Sequence, residues 1–325
     1  MKTILLPLCL VLAIATQAAD ETAPATKPTP QVALTAETAG QDYADQGEYT
    51  NDWGGAQIIA LGEHQFRIVI HQGGLPGTGW DKSPRTEIEG KRVGPAILFT
   101  NTNNGWAYSV ANGVLKTTTD TGTVYTMKKI TRISPTLGAK PPPGAEVLFD
   151  GTNTDAWRKG KMDERHFLSC GTRSKQLFTN LTFHGEFLLP FESSGRGQDR
   201  GNSGVYFQDR YEVQVLDSFG LKGENNECGG IYGKHGPAVN MCLPPLVWQT
   251  YDVDFEAAKF DEAGTKIKNA IMTVKHNGVL IQDHVEVSGT TTAAGINTET
   301  PIGGPIRLQD HGHSVYYRNI WVVPK

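Results

Sequence analysis

The sequence has no surplus of basic charge. Its 325 residues carry 30 lysines and arginines against 34 acidic residues, a net charge of −4. Such a balance offers nothing to a phosphate backbone, so nucleic acid is excluded as a partner. Cysteine is scarce: there are 4, and none is paired in C-x-x-C spacing. That argues against a zinc ribbon or a thioredoxin-type redox site. Beyond residue 14 no apolar run approaches the roughly 20 residues that span a bilayer. No stretch of a dozen residues repeats at the helical period, and no longer internal repeat is visible. The glycine-rich stretch Gly73-Gly74-Leu75-Pro76-Gly77-Thr78-Gly79-Trp80 lacks a closing Gly-Lys-Ser/Thr and a following helix pattern. It is therefore no phosphate loop, and reads as a plain surface turn, the alternative being a shaped loop that presents Trp80.

What is present begins with an export layout. Lys2, the apolar run Ile4–Ile14 and small residues up to Ala19 match a signal peptide, with cleavage expected near Ala15, Ala18 or Ala19. An uncleaved N-terminal anchor is the alternative. Cleavage places the mature chain in the periplasm or outside the cell, with no membrane span left. It also leaves Cys170, Cys228 and Cys242. An oxidising compartment permits one disulfide, and Cys228 and Cys242, which bracket a Gly- and Pro-rich loop, are the expected pair. The rival reading makes them small core residues.

Composition divides the rest. Residues 20–39 form an Ala/Thr/Pro spacer, 40–134 a small β-domain, 135–144 a proline-rich linker and 145–325 a larger domain. In the small domain, Ala56–Leu61, His64–Ile70, Ala96–Thr100, Gly105–Val110, Val114–Thr118 and Thr123–Ile130 read as strands. The larger domain holds nine short strand-like runs, and Asn277–Gly278 is a type I′ hairpin signal between two of them. The fold class is all-β: a sandwich or jelly roll preceded by a small β-sheet or barrel.

The chemistry concentrates in Tyr211-Glu212-Val213-Gln214-Val215-Leu216-Asp217. Period 2 sends Val213 and Val215 to the core and Glu212 and Gln214 to an open face. A bulge after Val215 would swing Asp217 onto that face too. Two carboxylates flanking an amide suit acid–base work on a sugar. A merely solvated strand face is the plainer reading. The pattern resembles the Glu-x-Asp-x-x-Glu strand of jelly-roll β-glucanases, with two departures. Gln214 stands where a carboxylate is usual, and Asp217 is one methylene shorter than the usual acid. Ordinary retaining glycosidase chemistry is therefore not expected.

Several other strings occur in order: Leu148-Phe149-Asp150-Gly151-Thr152, Asn202-Ser203-Gly204-Val205-Tyr206, Cys228-Gly229-Gly230-Ile231-Tyr232-Gly233, Trp248-Gln249-Thr250-Tyr251-Asp252, His276-Asn277-Gly278-Val279, the run Gly304 to Gly312, and Tyr317-Arg318-Asn319-Ile320-Trp321. Together with the Glu212 strand they resemble the 3-keto-disaccharide hydrolase domain. The small domain is similar to a β-module that precedes this domain in planctomycete-like bacteria.

The resemblance implies a concanavalin-like jelly roll acting on glucosides oxidised at C3. A C3 ketone acidifies the C2 proton. A base removes it, the C1 group leaves, and water adds back to give net hydrolysis. Glu212 or His311 is then expected as the base or as a metal ligand. Asp310 would orient His311 or share the metal, and Tyr232 would donate a proton or stack on the ring. Asn202, Gln214, Asp217, His235, Gln309 and Arg318 are the expected substrate contacts. Tyr206, Phe207 and Tyr211 read as core. A divalent metal such as Ca or Mn, held by Glu212, Asp310 and His311, would stabilise the enolate. No organic cofactor is implied. The rival class is a noncatalytic, lectin-like carbohydrate-binding module.

Overall fold

A computed structural model describes residues 32–101 and 103–325. The expected signal peptide and most of the expected spacer lie outside the described residues. Among those described, no helix is long and apolar enough to cross a membrane.

The spacer ends earlier than the composition suggests. Ala33 pairs with Phe191 of the larger domain, and helix α1 (Ala36–Asp45) follows at once. Eight strands then close into an antiparallel barrel. They are β1 (Gly47–Asn51), β2 (Gly54–Gly62), β3 (Gln65–Gln72), β4 (Thr86–Val93), β5 (Ala96–Thr100), β6 (Ala107–Ala111), β7 (Val114–Thr118) and β8 (Val124–Ile130). Pairing of β1 with β8 completes the ring. Alternate residues fill it: Ile58, Phe66, Ile68, Phe99, Val110 and Leu115 are buried inside. Ile59 and Val69 point outward, yet they are buried against Phe219 of the larger domain.

The larger domain is a sandwich of a five-stranded and a seven-stranded sheet. The five-stranded sheet runs in the order Trp157–Arg158, Thr172–Ser174, Arg307–Leu308, Ser203–Phe207, Tyr211–Val215. Its inner face contributes Val205, Phe207, Val213, Val215 and Leu308 to the core. Phe183, Tyr251, Val253, Phe255 and Val274 meet them from the other sheet. The Asn277–Gly278 hairpin forms as expected, with φ of 50° and 78°, both in the left-handed region that a type I′ turn requires.

The proline-rich segment is docked rather than free. Ser134 and Thr136 hydroxyls lie 2.6 and 2.7 Å from the Thr250 hydroxyl. The Gly138 N–H donates to Glu186 at 2.6 Å, and Asn319 and Trp321 donate to the Ala139 carbonyl. The two domains are also braced by Arg200. Its Nη1 donates to the Ala60 carbonyl of β2 (3.1 Å), while its Nε holds Asp217 at 2.6 Å.

The expected disulfide is absent. Cys228 and Cys242 are free and buried. The Cys228 sulfur lies 3.2 Å from the Tyr251 hydroxyl, and the Cys242 thiol faces the Leu216 carbonyl at 3.5 Å. Both act as small core side chains.

Candidate active site

The outer face of the five-stranded sheet carries a buried polar cluster. Register explains it. Tyr206 is paired with Glu212 on one side and with Arg307 on the other, so the three stand in one row across three strands. The next row holds Gly204 opposite Gln214, with the Gln309 N–H donating to the Gly204 carbonyl. A Cβ on Gly204 would lie 2.1 Å from a Glu212 carboxyl oxygen. Glycine is thus required there for the carboxyl to fold over the sheet.

The hairpin that aligns these rows is strained. Gln208 and Asp209 have φ of 57° and 54°, a conformation that costs a non-glycine residue about 1–2 kcal/mol. Side-chain bonds hold it. The Asp209 carboxylate accepts from Arg173 (2.6 Å) and pairs with Arg307 (2.9 Å). Arg210 donates to Gln208 at 2.9 Å.

Glu212 is 2% exposed. The Tyr206 hydroxyl donates to it at 2.7 Å, and Gln309 donates to that hydroxyl at 3.2 Å. The Arg307 guanidinium lies over the Tyr206 ring, 3.7 Å from its centroid. Burial pushes the Glu212 carboxyl up to about 8, against the opposing pull of Tyr206 and Arg307. Beside it, Gln198 gathers the amides. Its Oε1 accepts from Gln214 (3.0 Å), Asn202 (3.2 Å) and the Tyr232 hydroxyl (3.5 Å). The segment Thr291–Gly295 straps the cluster. Thr291 Oγ1 accepts the Glu212 N–H, the Thr292 carbonyl lies 3.3 Å from the Tyr206 hydroxyl, and the Ala293 carbonyl accepts from Arg307.

Asn202, Gln214, Gln309 and Tyr232 therefore join Glu212 as expected. Five others do not. Asp217 lies buried against Arg200, and its Oδ1 accepts the Phe219 N–H, so no bulge swings it onto the polar face. His235 is held by Gln282 at 2.7 Å, in a turn beyond the sheet edge. Arg318 belongs to the other sheet. It donates to Glu186 at 2.6 Å and stacks over Trp248. Asp310 and His311 lie past the end of their strand, both exposed. Asp310 only closes a turn onto the Gly312 N–H. The hydrogen bonds and ion pairs of the described residues join neither Asp310 nor His311 to Glu212, whose carboxyl is met by Tyr206. A pairing of Glu212 with His311 is therefore not realised.

The proposed ligand set for a divalent metal is likewise not gathered. Among the described residues no three His, Cys, Asp or Glu side chains converge. The neighbours of Glu212 are a phenol and a guanidinium, which do not fit a cation.

Sequence reasoning missed Tyr206, Arg307 and Gln198. Tyr206 was expected in the core, yet its hydroxyl reaches the carboxyl. Strand parity with Gln309 was the signal that places Arg307 on the polar face. The imidazole near the rim is that of His313, held by Glu192 at 2.6 Å.

A β-sandwich presenting an acid, amides and an arginine on one polar face is the architecture of a carbohydrate-active protein. Residues 144–323 match the family model of the 3-keto-alpha-glucoside-1,2-lyase-like domain, and the chain belongs to that family. A solved structure from Parabacteroides distasonis, named provisionally as a glycosyl hydrolase, is 33% identical. It covers 57% of this chain and 85% of its own, with a TM-score of 0.52. A second from the same organism, also provisionally a glycosyl hydrolase, is 17% identical over 56% of this chain and 94% of its own, with a TM-score of 0.41. That likeness is too distant to bear on the site. No curated protein matches. Family and first neighbour together support a glycosidase-type function.

Proposed function

We propose that the chain is an exported enzyme that cleaves 3-keto-glucosides by removing the C2 proton and expelling the group at C1. The observation that carries this reading is the Glu212 carboxyl, held near pH 8 beside Tyr206 and Arg307. A carboxyl titrating there takes and returns protons near neutrality, as general acid–base catalysis requires.

In this reading ionised Glu212 takes the C2 proton, and the electron pair moves into the C3 carbonyl to form an enolate. Arg307, whose Nε is buried without a hydrogen-bond partner, supplies positive charge for the enolate oxygen. The enolate collapses, the C1–O bond breaks, and the proton on Glu212 passes to the leaving oxygen. Addition of water to the resulting unsaturated ketone, with return of a proton to C2, completes hydrolysis. Asn202, Gln214 and Gln198 bind the ring hydroxyls. The strap Thr291–Gly295 must open to admit the sugar, because it covers Glu212.

A binding-only module is the reading favoured by the amide cluster taken alone. One assay separates them. Purified full chain is incubated with an aryl 3-keto-glucoside and with the same glucoside unoxidised. Release of the aryl alcohol from the keto compound alone is expected. Inertness toward both rejects the enzyme.

A further inference from the structure

The barrel has two unlike ends. At one, α1 acts as a stopper, with Ala39 and Tyr43 packed on the barrel core. The short β1–β2 turn and the longer β3–β4 and β5–β6 connections emerge at the other end and line a cavity of about 590 Å3. That lies within the roughly 300–1,000 Å3 of small-molecule pockets. Nothing in the sandwich chemistry uses it.

The lining is selective. Trp53, Trp106 and Tyr108 supply aromatic surface, and Asn101 and Asn104 turn amides toward the Tyr108 hydroxyl. Among the described residues no lysine or arginine lines the cavity. Its only acidic residue, Asp81, is already committed to the Ser83 N–H at 2.8 Å. Trp53, in the β1–β2 turn, is 55% exposed. It leans edge-on against Tyr125, which leaves a face open.

The cavity wall also holds an unanswered polar group. His71 is 1% exposed, and its Nδ1 has no hydrogen-bond partner. A buried relay sets its tautomer. Arg132 pairs with Glu48, and Gln57 Nε2 donates to Glu48 at 3.3 Å. The Gln57 carbonyl oxygen is left to accept the His71 Nε2–H at 3.1 Å. The Nδ1 atom is then a fixed acceptor, and the Trp80 ring of the glycine-rich loop packs T-shaped against the imidazole, 5.0 Å between centroids. That atom asks for an O–H donor, which a hydroxylated ligand supplies once Trp80 gives way.

We propose that this open end binds a neutral sugar ring, stacked on Trp53 and Trp106 and hydrogen-bonded by Asn101, Asn104 and His71. Indole faces suit the C–H faces of a pyranose, and the amides suit its hydroxyls. The small domain is then a glycan anchor that holds the enzyme on its substrate source. This inference does not depend on the catalytic reading of the sandwich.

The test is calorimetric titration of the full chain with maltotriose and with cellotriose, with choline as the cationic control for an aromatic pocket. Saturable binding of at least one trisaccharide and none of choline is expected. Trp53→Ala, at an exposed position that leaves folding intact, and Trp106→Ala should each weaken it at least tenfold. Glu212→Gln, in the other domain, should leave it unchanged. No binding of either trisaccharide, binding of choline alone, or affinity indifferent to both tryptophans would overturn the assignment. So would loss of binding in Glu212→Gln with the tryptophans intact.

Discussion

Glu212 and Glu186 are both buried glutamates on outer sheet faces of one sandwich, and they behave oppositely. Glu212 is pushed up to about 8. Glu186, fully buried beneath the docked linker, is pulled down to about 2. Burial opposes ionisation in both. The difference lies in the donors. Glu186 is met by His184, Asn319, Arg318 and the Gly138 N–H, which together outweigh its burial. His184, bracketed by Asp252 and Glu186, is raised despite its own burial. Glu212 has a single neutral donor in contact, and its nearest cation sits beyond the Tyr206 ring. A saturated carboxylate is a structural charge, whereas a starved one is a proton carrier.

The largest effect expected is on turnover. Glu212→Gln should lower kcat/KM toward a 3-keto-glucoside by about 10³-fold, within the usual worth of a general base. The same change should raise thermal stability. A carboxyl whose folded value is about 8 stabilises most at low pH, and that contribution is lost as pH rises toward 8. The melting temperature of Glu212→Gln should therefore exceed that of wild type by more above pH 8 than below pH 5. A melting temperature that drops would place Glu212 among the structural charges.

Glu186→Ala should do the reverse. It strips the partner from Arg318 and His184, and breaking such a buried cluster costs about 3–5 kcal/mol. The lowered carboxyl contributes stability above its unfolded value, and that contribution fades as pH falls from about 4.5 toward 2. The gap between wild type and Glu186→Ala, read from urea unfolding, should thus close in acid. A gap that stays constant would contradict the ionised assignment.

Tyr206→Phe sharpens the contrast further. Removing the one donor should raise the Glu212 carboxyl still more and move the rise in kcat/KM to higher pH, with about tenfold lower activity at neutrality. His311→Ala should fall within twofold of wild type in activity and about 0.5 kcal/mol in stability, as exposed substitutions do. A large loss there would restore His311 to the site.

The two ends of this contrast were unequally legible in the sequence. Alternation in Tyr211–Val215 placed Glu212 and Gln214 on the polar face, because a period of 2 fixes the face of each residue. The strands β1 and β4 were missed. Gly47–Asn51 is short and polar, and no residue of β4 is fully buried, so neither shows an apolar period. Arg318 and Arg307 lie in neighbouring strings, and only the pairing of strands assigns them to different sheets. Asp310 and His311 had the composition of a site but lie beyond the last paired residue, where register no longer aims a side chain. The tuning of Glu186 and Glu212 comes from partners scattered along the chain, which sequence spacing does not reveal.

The most direct test is the pH dependence of kcat/KM for a 3-keto-glucoside carrying deuterium at C2, beside the protio compound. If Glu212 takes the C2 proton, deuterium slows the reaction severalfold and the rate rises with pH through about 8. Equal rates for the two compounds, with no inflection near that pH, would contradict the account.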